Sequence, residues 1–178
     1  GRPVCAIPGN HDDGGRLGRF FPPPGRVLSR GPEHCFAAEV AGRRLLFLDS
    51  STGVVGGEAL RWLSGEVSGS GSRVFLFMHH PPMLGGAPFM DRSFPLANHD
   101  EVLAALATAR SGAAVFCGHY HCARALFRGR VAVHITPSTW VQIDPEADRL
   151  EVLPTPPACR VIELAGDVNV EMPHYVTG

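Results

Sequence analysis

Three short polar clusters carry the chemistry open to this sequence: Asn10-His11-Asp12, His79-His80 and His119-x-His121. Imidazole nitrogen together with amide and carboxylate oxygen is a donor set for a borderline divalent ion such as Mn, Fe or Zn. Each cluster alone has an ordinary explanation. Asn-His-Asp reads as a turn, because Asn and Asp tolerate left-handed backbone and cap local amides. His79-His80 reads as a strand end with one ring packed and one solvated, and His-x-His is a weak metal signal. Their shared position changes the weighing, since each cluster directly follows an apolar run of buried-strand type. Five of the nine histidines thus fall at three strand ends. Ligands of open α/β sheets gather beyond the carboxyl ends of strands, so clusters far apart in sequence can converge there. In extended backbone His119 and His121 would point the same way, with Gly118 turning the chain tightly to present them.

The elements that must position these clusters follow from hydrophobic period and turn chemistry. A short buried strand is expected over residues 3–7, and a long surface loop over the Gly-, Pro- and Arg-rich residues 13–33. Cys35–Val40 and Leu45–Asp49 form a hairpin around Ala41-Gly42-Arg43. Leu60, Leu63 and Val67 recur at helical spacing, so Glu58–Val67 is an amphipathic helix. Val74–Met78 and Ala113–Cys117 are continuous apolar runs, which suits strands buried on both faces. After a mobile-looking stretch at 83–97, Asn98 or Asp100 caps a helix running to about Ala109. Short strands at 124–128, 131–135, 139–143, 159–164 and 168–172 close the chain. The architecture implied is an α/β layered sandwich in one domain, residues 1–178.

Bulk composition narrows the class. With 178 residues, 44% hydrophobic and 19% charged, the chain is a globular domain and not a disordered one. A formal net charge of −1 provides no global basic field for nucleic acid or anionic lipid. All 16 cationic residues are arginine, from which no function follows. Five cysteines without a Cys-x-x-Cys pair point away from a disulfide framework and towards a cytoplasmic setting. No apolar run reaches the length of a membrane span.

Gly9-Asn10-His11-Asp12, His79-x-Pro81 and Gly118-His119-x-His121, in this order and at strand ends, resemble the last three metal-binding motifs of the calcineurin-like metallophosphoesterases. Leu46-Phe47-Leu48-Asp49-Ser50, Glu58 with Trp62-Leu63, and Thr136-Pro137-Ser138-Thr139 with Gln142 further resemble the bacterial class III 3′,5′-cyclic-nucleotide phosphodiesterases. The resemblance implies a four-layer α/β/β/α sandwich and a phosphodiesterase that takes a small phosphate ester, with cyclic AMP as the candidate. Asn10, His79 and His119 would ligate one metal and His121 another. His11 would bind the phosphate and assist the leaving oxygen, with Asp12 orienting its ring. His80 falls at a position that varies in the family, read as second to the metal or solvated. His34, His99, His134 and His174 carry no motif and read as structural.

The sequence departs from that pattern in one respect. The family's Asp-x-His and Gly-Asp motifs, which supply anionic ligands and the carboxylate bridging two metals, have no usable counterpart; Gly166-Asp167 reads as a turn. The expectation is therefore an N-terminally truncated domain that holds one divalent ion or none, where the intact family holds two, and that has little turnover alone. A non-catalytic remnant serving as a structural or interaction module is the alternative, and a phosphomonoesterase completed by ligands from another chain is a third. An apolar sheet edge left beside residues 3–7 would favour a homo-oligomer.

Overall fold

The computed structural model describes residues 4–23, 26–40, 42–165 and 168–176. A seven-stranded mixed sheet forms the centre, from β1 (Arg26–Arg30), β2 (Phe36–Val40), β3 (Arg43–Leu48), β4 (Val74–Met78), β5 (Ala113–Cys117), β6 (Arg124–Arg128) and β7 (Val131–Ile135). Its spatial order is β1-β2-β3-β4-β5-β7-β6. The four middle strands β3, β4, β5 and β7 run parallel, and hairpin partners close both edges antiparallel. Parallel neighbours need crossovers. The 48–74 crossover contains α2 (Gly57–Ser68), and the 78–113 crossover contains α3 (Pro88–Ser93) and α4 (His99–Ala107).

The apolar runs turn out to alternate by size. Aliphatic residues Leu46, Leu48, Leu76, Met78, Val115, Val133 and Ile135 share one core with Ala59, Leu63 and Val67 of α2 and Val102, Leu103 and Leu106 of α4. Phe36, Phe47, Phe75 and Phe116 occupy the opposite face with Ala38, Leu45 and Ala114. Across that face the rings stack strand to strand, Phe36–Phe47–Phe77–Phe116–His134, with centroids 4.5, 5.2, 5.3 and 5.2 Å apart. The repeat follows the spacing of adjacent strands, about 4.8 Å. Period-2 alternation thus gathers the phenylalanines of these strands on one face, which the reading of these runs as uniformly apolar did not distinguish. The second face is covered in part by the hairpin β10 (Ala158–Ala165) with β11 (Val168–Tyr175), through Ile162 and Leu164. Helices, sheet and hairpin give the layers of an α/β fold.

Several local expectations are corrected. Residues 4–7 pair with no strand; Cys5 and Ile7 pack instead against the phenylalanine face, so the sheet edge expected beside them is absent and the outer strands are β1 and β6. The stretch 13–33 is not one loop. It holds α1 (Gly14–Phe20), capped by Asp13, whose carboxylate accepts from Arg16 N–H at 3.0 Å, and then β1. The Gly-rich sequence of α1 has low helix propensity, so only its cap signalled it. Within 83–97 lies α3, with Pro88 in its first turn. Residues 139–143 contain only the two-residue strand β8 (Gln142–Ile143), paired with β9 (Val152–Leu153). Asn98 is the N-cap residue of α4, yet its side chain bonds elsewhere: Oδ1 accepts from Val55 N–H and Nδ2 donates to Val55 C=O, both at 2.9 Å. Gly166-Asp167 lies outside the described residues. No helix among the described residues is long and apolar enough to cross a membrane.

Candidate metal centre

His79 follows the last residue of β4 and Gly118 follows that of β5, so adjacent parallel strands deliver their loops to one edge of the sheet. Gly118 N–H donates to His79 C=O at 3.0 Å, which ties the two loops together. A turn brings Asn10 to the same edge: Asp12 N–H donates to Gly9 C=O at 3.1 Å, and Asp12 Oδ2 accepts from Gly9 N–H at 2.8 Å. The Asp12 carboxylate therefore holds the backbone turn that carries Asn10 and His11, a role distinct from orienting the His11 ring. Gly9 is required for proximity and not for φ, since a Cβ there would lie 2.8 Å from His79 Cε1.

The donors meet closely. His79 Nε2 lies 2.8 Å from Asn10 Oδ1 and 3.2 Å from His119 Nδ1. Ligand atoms about 2.1 Å from one ion are separated by about 3.0–3.4 Å in octahedral or tetrahedral arrangement, so these spacings suit a shared divalent ion. His119 Nε2 sits 3.0 Å from the Phe94 carbonyl. That carbonyl can only accept, so the ring carries its proton on Nε2 and leaves the Nδ1 lone pair facing His79. A metal-binding histidine characteristically donates its other N–H in this way. Sequence reasoning missed Phe94, because a backbone carbonyl leaves no trace in residue identity.

His80 also joins the cluster. It is buried, its Nδ1 lies 3.2 Å from Ser50 Oγ, and its N–H donates to the same oxygen at 3.0 Å. Potential ligand nitrogens of His79, His80 and His119 lie within 4.8 Å of one another, and the His80 and His119 rings are 4.1 Å apart. The solvated reading of His80 is thus replaced by a packed one. His121 lines the same cavity, and its Nδ1 is buried with no hydrogen-bond partner among the described residues. His11 is exposed beside them.

Neither His119 nor His121 is in extended backbone. Their φ values are 67° and 51°, in the left-handed region, whereas Gly118 is not there. Such a conformation costs a non-glycine residue about 1–3 kcal/mol and is found where a site dictates it. The expectation that Gly118 makes the turn is corrected accordingly: the strain is taken by the histidines themselves.

Electrostatics keep the cluster neutral. Burial, then the neighbouring rings of His119, His121 and His11, pushes His79 down to about 4. Burial and the rings of His119 and His79 push His80 down to about 3, against the opposing Ser50 bond. His119 and His121 are lowered mainly by burial, opposed by bonds to the Phe94 and Val141 backbone. Neutral imidazoles keep their lone pairs available for a metal ion. The donor set present therefore fits a divalent metal ion.

A cavity of about 460 Å³ opens beside the cluster, lined on one side by Cys5, Ile7, Phe77, Phe116 and Ile162 and on the other by His79, His119, His121, Thr136–Thr139 and Arg160. Gln142 fixes the 136–141 loop: Oε1 accepts from Ser138 N–H at 3.1 Å and Nε2 donates to Ser138 C=O at 2.7 Å.

No family model matches the sequence. Among curated proteins, the chain is 36% identical over 161 residues to a probable cyclic nucleotide phosphodiesterase of Fibrobacter succinogenes, covering 90% of this chain and 62% of that protein. The chain belongs to the calcineurin-like metallophosphoesterases. Other relatives of this metallophosphoesterase are a glycerophosphodiester phosphodiesterase of Enterobacter lignolyticus and a probable cyclic nucleotide phosphodiesterase of a Synechococcus strain. The first is 30% identical, over 97% of this chain and 65% of its own length. The second is 32% identical, over 81% of this chain and 56% of its own length. The chain thus spans about three-fifths of the relatives it matches. A crystal structure of a dimetal phosphatase from Danio rerio aligns with a TM-score of 0.42 at 18% identity, over 66% of this chain and 38% of that one.

Proposed function

We propose that this metallophosphoesterase chain carries part of the metal centre of a phosphodiesterase of small phosphate esters, with cyclic AMP as the substrate to test first. One observation carries the reading: Asn10 Oδ1, His79 Nε2 and His119 Nδ1 converge at ligand spacing beyond the ends of parallel strands. The names of the relatives support the substrate class. Asn10, His79 and His119 would hold one divalent ion, and His121 would face a second position. Residues placed in this way would hold an ion whose chemistry, when bound, would be to acidify a water and to offset negative charge on the ester. The chain's own groups do the rest. Asn10 and the imidazoles are neutral donors and leave the cationic charge available to an anionic ester. His11 offers a ring proton to the leaving alkoxide, with a charge-assisted hydrogen bond as its protonated form. Asp12 holds the turn that presents it. Phe77, Phe116 and Ile162 keep water from one wall.

Among the described residues the cluster contains histidines and no carboxylate. Two divalent ions a few ångströms apart repel strongly without anionic ligands between them. The 178-residue chain is therefore proposed to retain at most one ion and to have negligible turnover alone. The test is elemental analysis after dialysis, with hydrolysis of cyclic AMP and bis(p-nitrophenyl) phosphate in added Mn²⁺. A fusion that supplies Asp-x-His and Gly-Asp upstream should hydrolyse a diester and lose that activity on His119→Ala. A folded, metal-loaded fusion inert towards both esters would overturn the phosphodiesterase reading. Two tightly held ions in the unfused chain would overturn the ligand assignment.

A further inference from the structure

His119 and His121 hold left-handed backbone that no glycine relieves, so the surrounding fold must impose it. The elements packed against their loop show how. Asp91 of α3 accepts three hydrogen bonds: from Gly85 N–H at 2.7 Å, Ala87 N–H at 3.0 Å and Tyr120 O–H at 2.7 Å. Tyr120 stands between the two histidines in sequence and is itself buried. Gly85 lies so close to the Tyr120 ring that a Cβ would fall 2.9 Å from Cε2. At the other end of the same helix, Phe94 N–H donates to Met90 C=O at 2.9 Å, and the Phe94 carbonyl accepts a hydrogen bond from His119 Nε2–H at 3.0 Å. The six-residue helix α3 thus grips the loop twice, by the hydroxyl of Tyr120 and by the ring of His119.

We propose that Asp91 and Tyr120 are positioning residues for the metal centre. Their hydrogen bond fastens residues 118–122 to α3, so that His119 presents Nδ1, and not Nε2, to His79 and Asn10. The segment 83–94 is then a clamp whose register decides which imidazole nitrogen is offered. The consequence for metal binding rests on the reading of this cluster as a metal centre; the consequence for the ring proton does not.

The experiment separates the two. In metal-free protein labelled with ¹⁵N-histidine, long-range ¹H–¹⁵N spectra report the protonated nitrogen of each ring. His119 in the wild type should be protonated on Nε2. Tyr120→Phe removes one hydroxyl and keeps the ring that fills the space; His119 should then populate both tautomers. Asp91→Asn, read in the same way, is the second variant. Titration of wild type and variants with Zn²⁺ should then show affinity reduced about 10–100-fold, the usual cost of losing an outer partner of a metal ligand. Thr108→Val removes a 2.7 Å hydroxyl bond at the C-cap of α4 and should leave both readouts unchanged. A single Nε2–H tautomer with zinc affinity within twofold of wild type in both variants would overturn the clamp. Absence of zinc binding by the wild type would instead overturn the metal centre, and the tautomer shift would still decide the clamp.

Discussion

Gly9→Ala tests whether the site depends on the close approach of a bare backbone to the His79 ring. The φ of Gly9 is not in the left-handed region, so alanine meets no backbone penalty. The obstacle is the new Cβ, which would lie 2.8 Å from Cε1, 2.9 Å from Nδ1 and 3.3 Å from Cγ of His79. Carbon atoms settle at about 3.5–4.0 Å, so the ring must retreat by about 0.7–1.2 Å. On its far side Nε2 is only 2.8 Å from Asn10 Oδ1 and 3.2 Å from His119 Nδ1, so the retreat compresses or breaks those contacts. Coordination tolerates about 0.2 Å. The variant should lose about 1–3 kcal/mol of stability, the usual cost of overpacking. It should also bind Zn²⁺ at least tenfold more weakly. Denaturant unfolding of the metal-free protein and calorimetric titration with Zn²⁺ provide the two numbers. Wild-type affinity together with a stability change under about 0.5 kcal/mol would show that His79 is not seated against Gly9.

Two further outcomes follow from the same geometry. The folded-state pKa of His79 is depressed, so the unfolded chain takes up the proton first, and stability present above pH 6.5 is lost as pH falls towards 4. For His79 alone the loss between pH 7 and 5 is about 2 kcal/mol, or about 4–8 °C in Tm for a chain of this size. Thermal unfolding in EDTA should show this drop and a smaller one for His79→Gln; equal pH slopes in the two proteins would contradict it. Asn98→Ala strips both hydrogen bonds from Val55 and should cost about 2 kcal/mol in chemical denaturation while leaving zinc affinity intact, and a cost under about 0.5 kcal/mol would show the tie to be dispensable.

Legibility in the sequence followed the range of the interaction. β4, β5, α2 and α4 were readable because burial on one or both faces writes itself into apolar period. The convergence of the polar clusters was readable because strand-end loops are where parallel sheets present side chains. What escaped depends on groups without a sequence signature or on distant partners. The Phe94 carbonyl is a backbone atom. The left-handed φ of His119 and His121 falls in a loop whose Tyr120 and His119 bond to α3 and its C-cap, elements hidden in a Pro- and Gly-rich stretch. His80 stayed open between a place second to the metal and a solvated one because its partner, Ser50, lies 30 residues away, just beyond the end of β3. Residues 4–7 had the composition of a strand but no neighbour with which to pair among the described residues.

The phenylalanine ladder has a practical consequence. Phe77 is only half-covered, and the cavity of about 460 Å³ over this face is walled by aromatic and aliphatic side chains, with Arg160 as its cationic group. Those dimensions and that charge pattern accommodate an anionic aromatic dye such as anilinonaphthalene sulfonate. Dye fluorescence is a common sign of a molten globule. Here it would arise from a fully folded protein, so dye uptake on its own cannot diagnose loose packing. Near-UV circular dichroism, which reports fixed aromatic side chains, is the appropriate measure of order.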